Sequence, residues 1–222
     1  MRIAVTGANG FLGRNLCLHL AELGHHDIVR ITRDTPEAEL GALLADIDFV
    51  FHLAGVNRPK EPSEFESGNR GFSEILCTAL GDRSVPVIFA SSTQAALDNP
   101  YGASKRAAED VLIAYSERTG APVHVYRLTN VFGKWSRPSY NSAIATFCHN
   151  IARGAPITIN DPEAPLRLVY VDDVVAAFAA LLNASGTKGG FAEIEPVYET
   201  TVGAVVEAIR SFPECRKTLV TP

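Results

Sequence analysis

Short apolar runs alternate with amphipathic segments along the first 130 residues of the chain. Five of these runs are rich in β-branched residues and predict buried strands: RIAVTG, DIVRIT, DFVFHLAG, VPVIFASS and PVHVYRL. Apolar residues at helical spacing predict helices between them, at 11–23, 37–45, 63–80 and 100–119. Because strands and helices alternate, with no two strands close enough for a hairpin, the pattern predicts an α/β fold with a doubly wound, mainly parallel sheet.

Two of the predicted helices carry start signals. Ser63 and Glu66 form a potential capping box, in which the serine caps the helix and the glutamate reaches back. Asn99 suits the N-cap of the 100–119 helix, and Pro100 suits its first position. Both signals predict where the chain turns from loop to helix.

The regular alternation weakens after Asn130. A helix is predicted within PSYNSAIATFCHNIARG, a short strand over APITI, and a strand that runs into a helix over RLVYVDDVVAAFAALL. We therefore expect a small C-terminal lobe over the carboxyl edge of the sheet.

Composition and charge exclude several classes of function. The 222 residues are 46% hydrophobic and carry a formal net charge of −5 without a basic run, so a sizeable core and no nucleic-acid binding are expected. The longest apolar run, nine residues at 174–182, is far shorter than the roughly 20 of a membrane helix. The four cysteines include no C-x-x-C pair, and the histidines (His25, His26 and His52) lack metal-ligand spacing. A cytoplasmic protein with reduced thiols, no metal and no membrane association is expected, and His52 is interpreted as a satisfied histidine at the edge of the core.

The segment TGANGFLG joins the first predicted strand to the first helix. Glycine there permits positive φ and lets backbone N–H groups approach a pyrophosphate, while the helix N-terminus favours negative charge. The spacing is G-x-x-G-x-x-G, and a tight turn without a ligand is the alternative. We favour dinucleotide binding in a Rossmann-like domain. The candidate cofactor-binding residues are Gly7, Asn9, Gly10, Phe11, Leu12 and Gly13.

The second strand ends in RITRD, which bears on the choice of cofactor. Sites that prefer NAD usually place an acidic residue here for the ribose 2′-hydroxyl. Arg33 stands at this tip and could pair with a 2′-phosphate, although an ordinary exposed arginine, or an inward Asp34, is the alternative. We therefore favour NADP (as NADPH) over NAD. Residues 1–133 are expected to form mainly the NADP-binding Rossmann domain, and 134–222 mainly the substrate-binding lobe, from which strands can return to the main sheet.

The segment NPYGASK places Tyr101 and Lys105 four residues apart on one helical face. A nearby ammonium favours the phenolate and lowers the pKa of a tyrosine, which could then deliver a proton to a carbonyl oxygen. The alternative is two surface residues on a helix.

Hydroxyl groups end the fourth predicted strand, in the segment ASST. The carboxyl ends of parallel strands face the ligand crevice, so a hydroxyl here could bind the same carbonyl oxygen. Ser92 is the first candidate, Thr93 the second and Ser91 the third. A loop that satisfies its own backbone is the alternative.

The segments TGANGFLG, HLAG, FASST and YGASK together resemble the extended short-chain dehydrogenases/reductases, many of which act on nucleotide sugars. The later RLTNVFGKW and LRLVYVDDVV also match, so the resemblance covers essentially the whole chain. It implies that Ser92, Tyr101 and Lys105 are catalytic and that Lys105, with Tyr101, also holds the nicotinamide ribose. It further implies that Leu53, Ala54 and Gly55 lie beside the adenosine, and that Asn69 supports the surroundings of the lysine.

A closer resemblance is to the reductase domain of bacterial capsular-polysaccharide assembling proteins, through HLAGVNRP, DNPYGASK, NVFGKW and YNSAIATFCHNIARG. These proteins belong to UDP-N-acetyl-L-fucosamine synthesis and carry a metal-binding cupin domain after the reductase. Because this chain stops at Pro222, we expect no cupin domain in it. The segment between the second and third strands is short, so one strand–helix unit found in many relatives is expected to be missing.

Candidate substrate residues follow from the same resemblance. Arg167 matches an arginine that contacts the nucleotide diphosphate, although pairing with Asp161, Asp172 or Asp173 is the alternative. Aromatic and polar residues are also crowded together in the segment 130–141. They suit a pocket for the sugar and the uracil, or equally a loop that packs the small lobe. The candidate substrate-binding residues are Ser92, Thr93, Asn130, Lys134, Tyr140 and Arg167.

Three functions are compatible with these residues. The favoured one is NADPH-dependent reduction of a UDP- or other nucleotide-linked 4-keto-6-deoxy amino sugar for capsule or O-antigen synthesis. The second is an NAD-dependent epimerase or a dehydratase, although Thr93 and Gln94 stand where dehydratases carry an acidic pair. The third is a non-catalytic NADP-binding sensor. Separately, the resemblance to the family implies a homodimer through the helices at 63–80 and 100–119.

Overall fold

The computed structural model describes residues 1–184 and 188–215, and the chain in it divides into two compact units. The first unit combines Met1–Leu128 with the returning segment Asp172–Ile194. The second combines Thr129–Val171 with the segment that begins at Glu195. Each unit is therefore built from two separate stretches of chain.

The first unit is built on a six-stranded sheet in which every strand is parallel to its neighbours. The order across the sheet is β2-β1-β3-β4-β5-β8. This confirms the doubly wound α/β prediction, and β8 shows that a late strand returns to the main sheet. The strands are β1 (Ile3–Thr6), β2 (Ile28–Ile31), β3 (Phe49–His52), β4 (Val87–Ser92), β5 (Val123–Leu128) and β8 (Gly190–Ala192).

Helices cover both faces of this sheet because alternate strand residues point in opposite directions. Val50 and Val125 face a core shared with Leu44, Leu76 and Leu112. On the opposite face, the Phe178 ring lies 6.4 Å from Phe51 and 5.0 Å from Tyr126, centroid to centroid. The helices are α1 (Phe11–Glu22), α2 (Leu40–Leu44), α3 (Ser63–Phe65), α4 (Phe72–Leu80), α5 (Pro100–Thr119) and α7 (Val171–Ala180).

The segment between β2 and β3 contains one 3-10 turn at Glu37–Glu39 and the short α2, and no strand among residues 32–48. This confirms that the chain lacks the additional strand–helix unit. As a result β2 forms the edge of the sheet, and β1 and β3 lie side by side at its centre.

The helix predicted over 63–80 is interrupted by a π-helical turn at Glu66–Gly71. The predicted capping box is also wrong, because Ser63 is the first helical residue and makes no capping bond. Glu64 supplies the acceptor instead: its Oε1 accepts bonds from the backbone N–H groups of Lys60 and Glu61, both at 3.2 Å. A carboxylate at this helix start also meets the positive end of the helix dipole.

The second unit contains a three-stranded sheet with a parallel and an antiparallel pair. Phe147, Val206 and Ile209 form the buried centre of its helical layer. The elements are β6 (Asn130–Phe132), α6 (Ala143–Ile151), β7 (Pro165–Tyr170), β9 (Tyr198–Thr201) and α8 (Val202–Ser211).

The strand predicted over APITI, residues 155–159, does not form. Ile157 and Ile159 both pack against the helical core, which explains the alternating pattern. The backbone is tied to α6 instead, since Ala155 N–H donates to the Asn150 carbonyl at 2.9 Å and the Asn150 amide donates to the Pro156 carbonyl at 3.0 Å. An alternating pattern alone therefore did not distinguish a paired strand from an extended loop.

Within residues 1–184 and 188–215, no helix is long and apolar enough to cross a membrane.

Candidate active site

The glycine loop between β1 and α1 packs backbone against backbone. Gly7 adopts φ +67°, and a Cβ there would lie 2.8 Å from the Ala54 nitrogen. A Cβ on Gly13 would overlap the Gly7 carbonyl oxygen and lie 2.7 Å from the Cα of Ala8. Gly10 N–H donates to the Gly7 carbonyl at 2.8 Å, which closes the turn. The glycines are thus required by the loop itself, and Leu53, Ala54 and Gly55 follow β3 directly beside it.

The first turn of α1 fits an anionic group. Its N-cap is Gly10, so no side chain caps the turn, and the turn carries no acidic residue. Backbone N–H groups at a helix start favour phosphate. The first turn includes Phe11 and Leu12, while Asn9 is exposed beside it. The carboxyl ends of β1 and β3 also mark the point where the strand order reverses, which is where dinucleotides bind in such sheets.

A buried hydrogen-bond network lies under the loop. Ser73 Oγ donates to the Asn69 carbonyl at 2.9 Å, so it must accept from His52 Nε2, also at 2.9 Å. His52 Nδ1 then accepts from the Thr6 hydroxyl at 2.8 Å, and Thr6 Oγ1 accepts from the N–H groups of Leu53 and Ala54 at 3.1 Å. The interpretation of His52 as a satisfied core histidine is confirmed. Within the described parts of the chain, no group of three or more His, Cys, Asp or Glu side chains could hold a metal.

The neutral state of His52 makes stability depend on acid pH. Burial, followed by the charge of Lys105, lowers the pKa of His52 to about 3. The unfolded chain therefore binds a proton below about pH 6.5 that the folded chain does not, and each pH unit from there down to about 3 removes about 1.4 kcal/mol of stability. We expect urea titrations between pH 7 and 4 to show this slope. His52→Gln should flatten it and the exposed His26→Gln should not; equal slopes in all three proteins would contradict the assignment.

The start of α5 sets the position of Tyr101. Asn99 Oδ1 accepts from Gly102 N–H at 2.8 Å, which confirms the predicted N-cap. A Cβ on Gly102 would overlap the Gln94 carbonyl oxygen, so this helix turn lies against the segment that follows β4. The Tyr101 hydroxyl lies beside Ser92, which lowers the pKa of the phenol, and the Phe65 ring lies 5.8 Å away, centroid to centroid.

The three candidate hydroxyls after β4 have different surroundings. Ser92 is half-buried, lies beside Tyr101 and accepts from Gln94 N–H at 3.2 Å. Thr93 is exposed. Ser91 is buried and donates to Glu109 Oε1. The geometry therefore favours Ser92 as the hydroxyl that acts with Tyr101.

Lys105 lies one turn further along α5 and is 4% exposed. Its Nζ donates to the Ala90 carbonyl at 2.8 Å and lies 4.1 Å from the centre of the Phe89 ring. Burial lowers the pKa of Lys105 to about 7, and the charge of Glu109 opposes this shift. The amine is thus poised to gain or lose its proton near neutral pH.

Burial, and not the charge of Lys105, has the largest effect on the pKa of Tyr101. Burial raises the pKa of Tyr101, and the hydrogen bond with Ser92 partly lowers it. Desolvation of the phenolate outweighs the expected stabilisation. Burial also lowers the pKa of the Lys105 amine to about 7, so the amine carries little charge at the alkaline pH where a phenol ionises. Tyr101 is therefore a protonated phenol at neutral pH, which suits a proton donor.

The π-helical turn positions Asn69. Its Oδ1 accepts from Val56 N–H at 2.9 Å, and its Nδ2 donates to the Val56 carbonyl at 2.9 Å and to Ser104 Oγ at 2.8 Å. A Cβ on Gly55 would lie 2.9 Å from Asn69 Oδ1 and 3.7 Å from Lys105 Nζ. Asn69 thus joins the segment after β3 to the helix that carries the tyrosine and the lysine.

Two arginines lie at the tip of β2. Arg33 is exposed in the turn after the strand. Arg30, which the sequence did not single out, directs its Nη2 to the Ala8 carbonyl and to Asn9 Oδ1, both at 3.4 Å. The strand tip therefore places one arginine against the glycine loop and a second beyond it.

Four of the candidate substrate residues lie in the second unit. Asn130 Nδ2 donates to the Arg167 carbonyl at 3.1 Å, so β6 and β7 bring these two residues together. The Arg167 guanidinium pairs with Glu199 at 3.3 Å, and not with the three aspartates considered from sequence, because β9 is its antiparallel neighbour. Lys134 and Tyr140 are exposed.

The sequence reasoning missed a set of polar residues that hold the site from behind. Their signals were polar residues within otherwise apolar strands, a serine within the apolar helix at 72–80, and one acid a helical turn after Lys105. These residues are Thr6, Ser73, Glu109 and Arg127.

The chain is similar to known proteins over its whole length. The chain is 49% identical to UDP-2-acetamido-2,6-β-L-arabino-hexul-4-ose reductase of Pseudomonas aeruginosa over 223 residues, which cover 100% of this chain and 60% of that protein. It superposes on the capsular polysaccharide assembling protein CapF from Staphylococcus aureus with a TM-score of 0.86 at 39% identity, covering 97% of this chain and 58% of CapF. It also superposes on MoeE5, solved with UDP-glucose and NAD, with a TM-score of 0.82 at 25% identity, covering 100% of this chain and 83% of MoeE5.

The chain thus spans about three-fifths of the length of its reductase relative and of CapF. Residues 3–194 match the family described as NAD dependent epimerase/dehydratase. The chain therefore belongs to the NAD dependent epimerase/dehydratase family, as its resemblance to the extended short-chain dehydrogenases/reductases predicted.

Proposed function

We propose that this chain is an NADPH-dependent reductase of a nucleotide-linked 4-keto-6-deoxy amino sugar, used in capsule or O-antigen synthesis. The observation that carries the proposal is the placement of Tyr101 beside the Ser92 hydroxyl, with Lys105 one helical turn away. The 49% identity to a reductase of a UDP-linked 4-ketosugar supports the same substrate class.

Ser92, Tyr101 and Lys105 each have a separate role in the reduction of the ketone. The Ser92 and Tyr101 hydroxyls bind the ketone oxygen, and the Tyr101 phenol donates the proton that turns it into an alcohol. NADPH, when bound, supplies the hydride to the ketone carbon. Its pyrophosphate would be held by the first turn of α1, and its nicotinamide ribose by Tyr101 and Lys105. A protonated Tyr101 favours the reductive direction, since reduction consumes a proton.

Turnover with a defined sugar tests the proposal. The protein is mixed with NADPH and a UDP-linked 4-keto-6-deoxy amino sugar, and both the loss of NADPH absorbance and the product mass are followed. We expect one NADPH consumed per sugar and a product heavier by two hydrogens. An isomerised sugar of unchanged mass, without NADPH loss, would replace the proposal with an epimerase. Tight NADPH binding without turnover would replace it with a sensor.

NADP preference is proposed on the two arginines at the tip of β2. A charge-assisted bond from Arg33 to a 2′-phosphate is worth about 1.5–3 kcal/mol. Arg33→Glu should therefore weaken NADPH binding by about tenfold to a hundredfold in a fluorescence titration and leave NADH binding nearly unchanged. Arg210→Glu, an exposed arginine of α8, makes the same charge change and should alter neither. Equal losses for both cofactors in Arg33→Glu would refute the assignment.

The remaining proposals concern location and partners. We propose that Asn130, Lys134, Tyr140 and Arg167 contact the nucleotide sugar, and that the protein is cytoplasmic. A homodimer through α4 and α5 is expected, and sedimentation at micromolar concentration tests it, since a monomer there would remove the expectation.

A further inference from the structure

Behind the Lys105 amine lies a buried ion pair that the proposed reaction does not use. Glu109 is 1% exposed and stands one turn after Lys105 on α5. Arg127 of β5 holds it with two bonds, from Nε to Oε1 at 3.0 Å and from Nη2 to Oε2 at 2.6 Å. Ser91 of β4 donates to the same Oε1, and Ser91 and Arg127 are register partners on adjacent strands.

The surroundings of Lys105 identify which charges act on it. The pKa of its neighbour His52 is lowered to about 3, so this imidazole is neutral at physiological pH. Tyr101 is likewise uncharged, and the Ala90 carbonyl, the Phe89 ring and Asn69 carry no formal charge. The charged group that acts directly on the amine is Glu109, and Arg127 is the ion-pair partner of Glu109.

Glu109 and Arg127 have opposite effects on the protonation of Lys105. The carboxylate favours the ammonium form of Lys105, and the guanidinium, which sits on the same carboxylate, weakens that attraction. Burial of Glu109 magnifies both interactions, because little water screens them. Arg127 is partly exposed at its side chain (35%) and is covered by the Phe191 ring at 4.6 Å, so it can be replaced without opening the core.

We propose that Glu109 and Arg127 are positioning residues that set the charge of the Lys105 amine, with Glu109 stabilising the ammonium and Arg127 limiting that stabilisation. Their effect on turnover rests on the proposed reductase function. Their effect on the ionisation of Lys105 does not depend on it.

The ionisation is measured directly by NMR. The chain has five lysines, so lysine labelled with ¹³C at Cε gives few signals, and the signal missing from Lys105→Met identifies Lys105. Its chemical shift is followed from pH 5 to 10 in the unaltered protein, in Glu109→Gln, in Arg127→Met and in the double variant. Glu74→Gln is the matched control, because it breaks an exposed ion pair between Glu74 of α4 and Arg70 of the π-helical turn.

The two single variants should shift the pKa of Lys105 in opposite directions. Glu109→Gln should lower it by about one unit, Arg127→Met should raise it, and the double variant should lie between them. Loosening of the structure would instead admit water and raise the pKa in every variant. Shifts in the same direction, or no shift, would overturn the inference. If Glu109→Gln does not fold, Arg127→Lys replaces it, because lysine keeps the positive charge: a rise in Arg127→Met that is absent from Arg127→Lys supports the inference, and a rise in both or in neither overturns it.

Kinetics separate this inference from the proposed function. The alkaline limb of kcat/KM reports the free enzyme, and it should move with the measured pKa of Lys105 in each variant. Opposite NMR shifts in a protein that reduces no ketosugar would support the charge setting and reject the reductase. Opposite NMR shifts with an unmoved limb would reject the role of the pair in turnover.

Discussion

Replacing Tyr101 with phenylalanine should lower kcat for ketosugar reduction by about 10²–10⁴, the usual worth of a positioned general acid. The variant loses only the hydroxyl beside Ser92 and keeps the ring beside Phe65. The melting temperature should therefore change little, and NADPH affinity should fall by at most about tenfold, the worth of one hydrogen bond to the nicotinamide ribose. Stopped-flow measurement of NADPH oxidation, together with a binding titration, separates the loss of chemistry from a loss of binding.

Tyr115 provides a matched control on the same helix. Its hydroxyl donates to the Arg83 carbonyl at 2.7 Å and accepts from Val85 N–H at 3.1 Å, so it serves the fold. Tyr115→Phe removes both bonds, while Val85 N–H keeps its bond to the Arg83 carbonyl at 3.0 Å, so the variant should lose about 0.5–1.5 kcal/mol of stability, with kcat nearly unchanged. If Tyr101→Phe kept its turnover, or if the two variants behaved alike, the role of Tyr101 as the acid would be wrong.

Replacing Gly13 with alanine should weaken NADP(H) binding by roughly tenfold to a hundredfold. The new Cβ would overlap the Gly7 carbonyl oxygen and approach Ala8 Cα to 2.7 Å, and both are backbone atoms. Relieving such overpacking costs about 1–3 kcal/mol, and the loop must open to do so. Fluorescence titration measures the affinity, and urea unfolding measures the accompanying loss of stability.

Gly41 in α2 is the control for this substitution. A Cβ there meets nothing within 4 Å, and alanine favours a helix by up to about 1 kcal/mol over glycine. Gly41→Ala should therefore keep full cofactor affinity and unfold at the same or a higher urea concentration. Unchanged NADPH affinity in Gly13→Ala would contradict the tight packing of the loop.

The features that the sequence predicted well depend on local signals. Each strand of the main sheet up to β5 is an apolar run bounded by turn residues, and the caps at Asn99 and Pro100 are read from neighbouring positions. The glycine loop is also local, because its backbone contacts reach mostly from Gly7 to Gly13.

The features that the sequence could not give depend on distant partners. Glu109 and Arg127 are 18 residues apart, and their pairing follows from the packing of α5 on β4 and β5. The π-helical turn likewise follows from Asn69 bonding Val56 and Ser104 on other elements. The choice among Ser91, Ser92 and Thr93 required the same information, since burial and not residue type distinguishes them.

The return of the chain to the first unit has a consequence for biosynthesis. Phe178 of α7 covers Phe51 and Tyr126, and β8 completes the sheet beside β5. A nascent chain that has emerged only as far as Leu128 would expose the Phe51 and Tyr126 rings and the unpaired edge of β5 to solvent. We therefore expect stable folding of the first unit to follow the emergence of residue 194 from the exit tunnel.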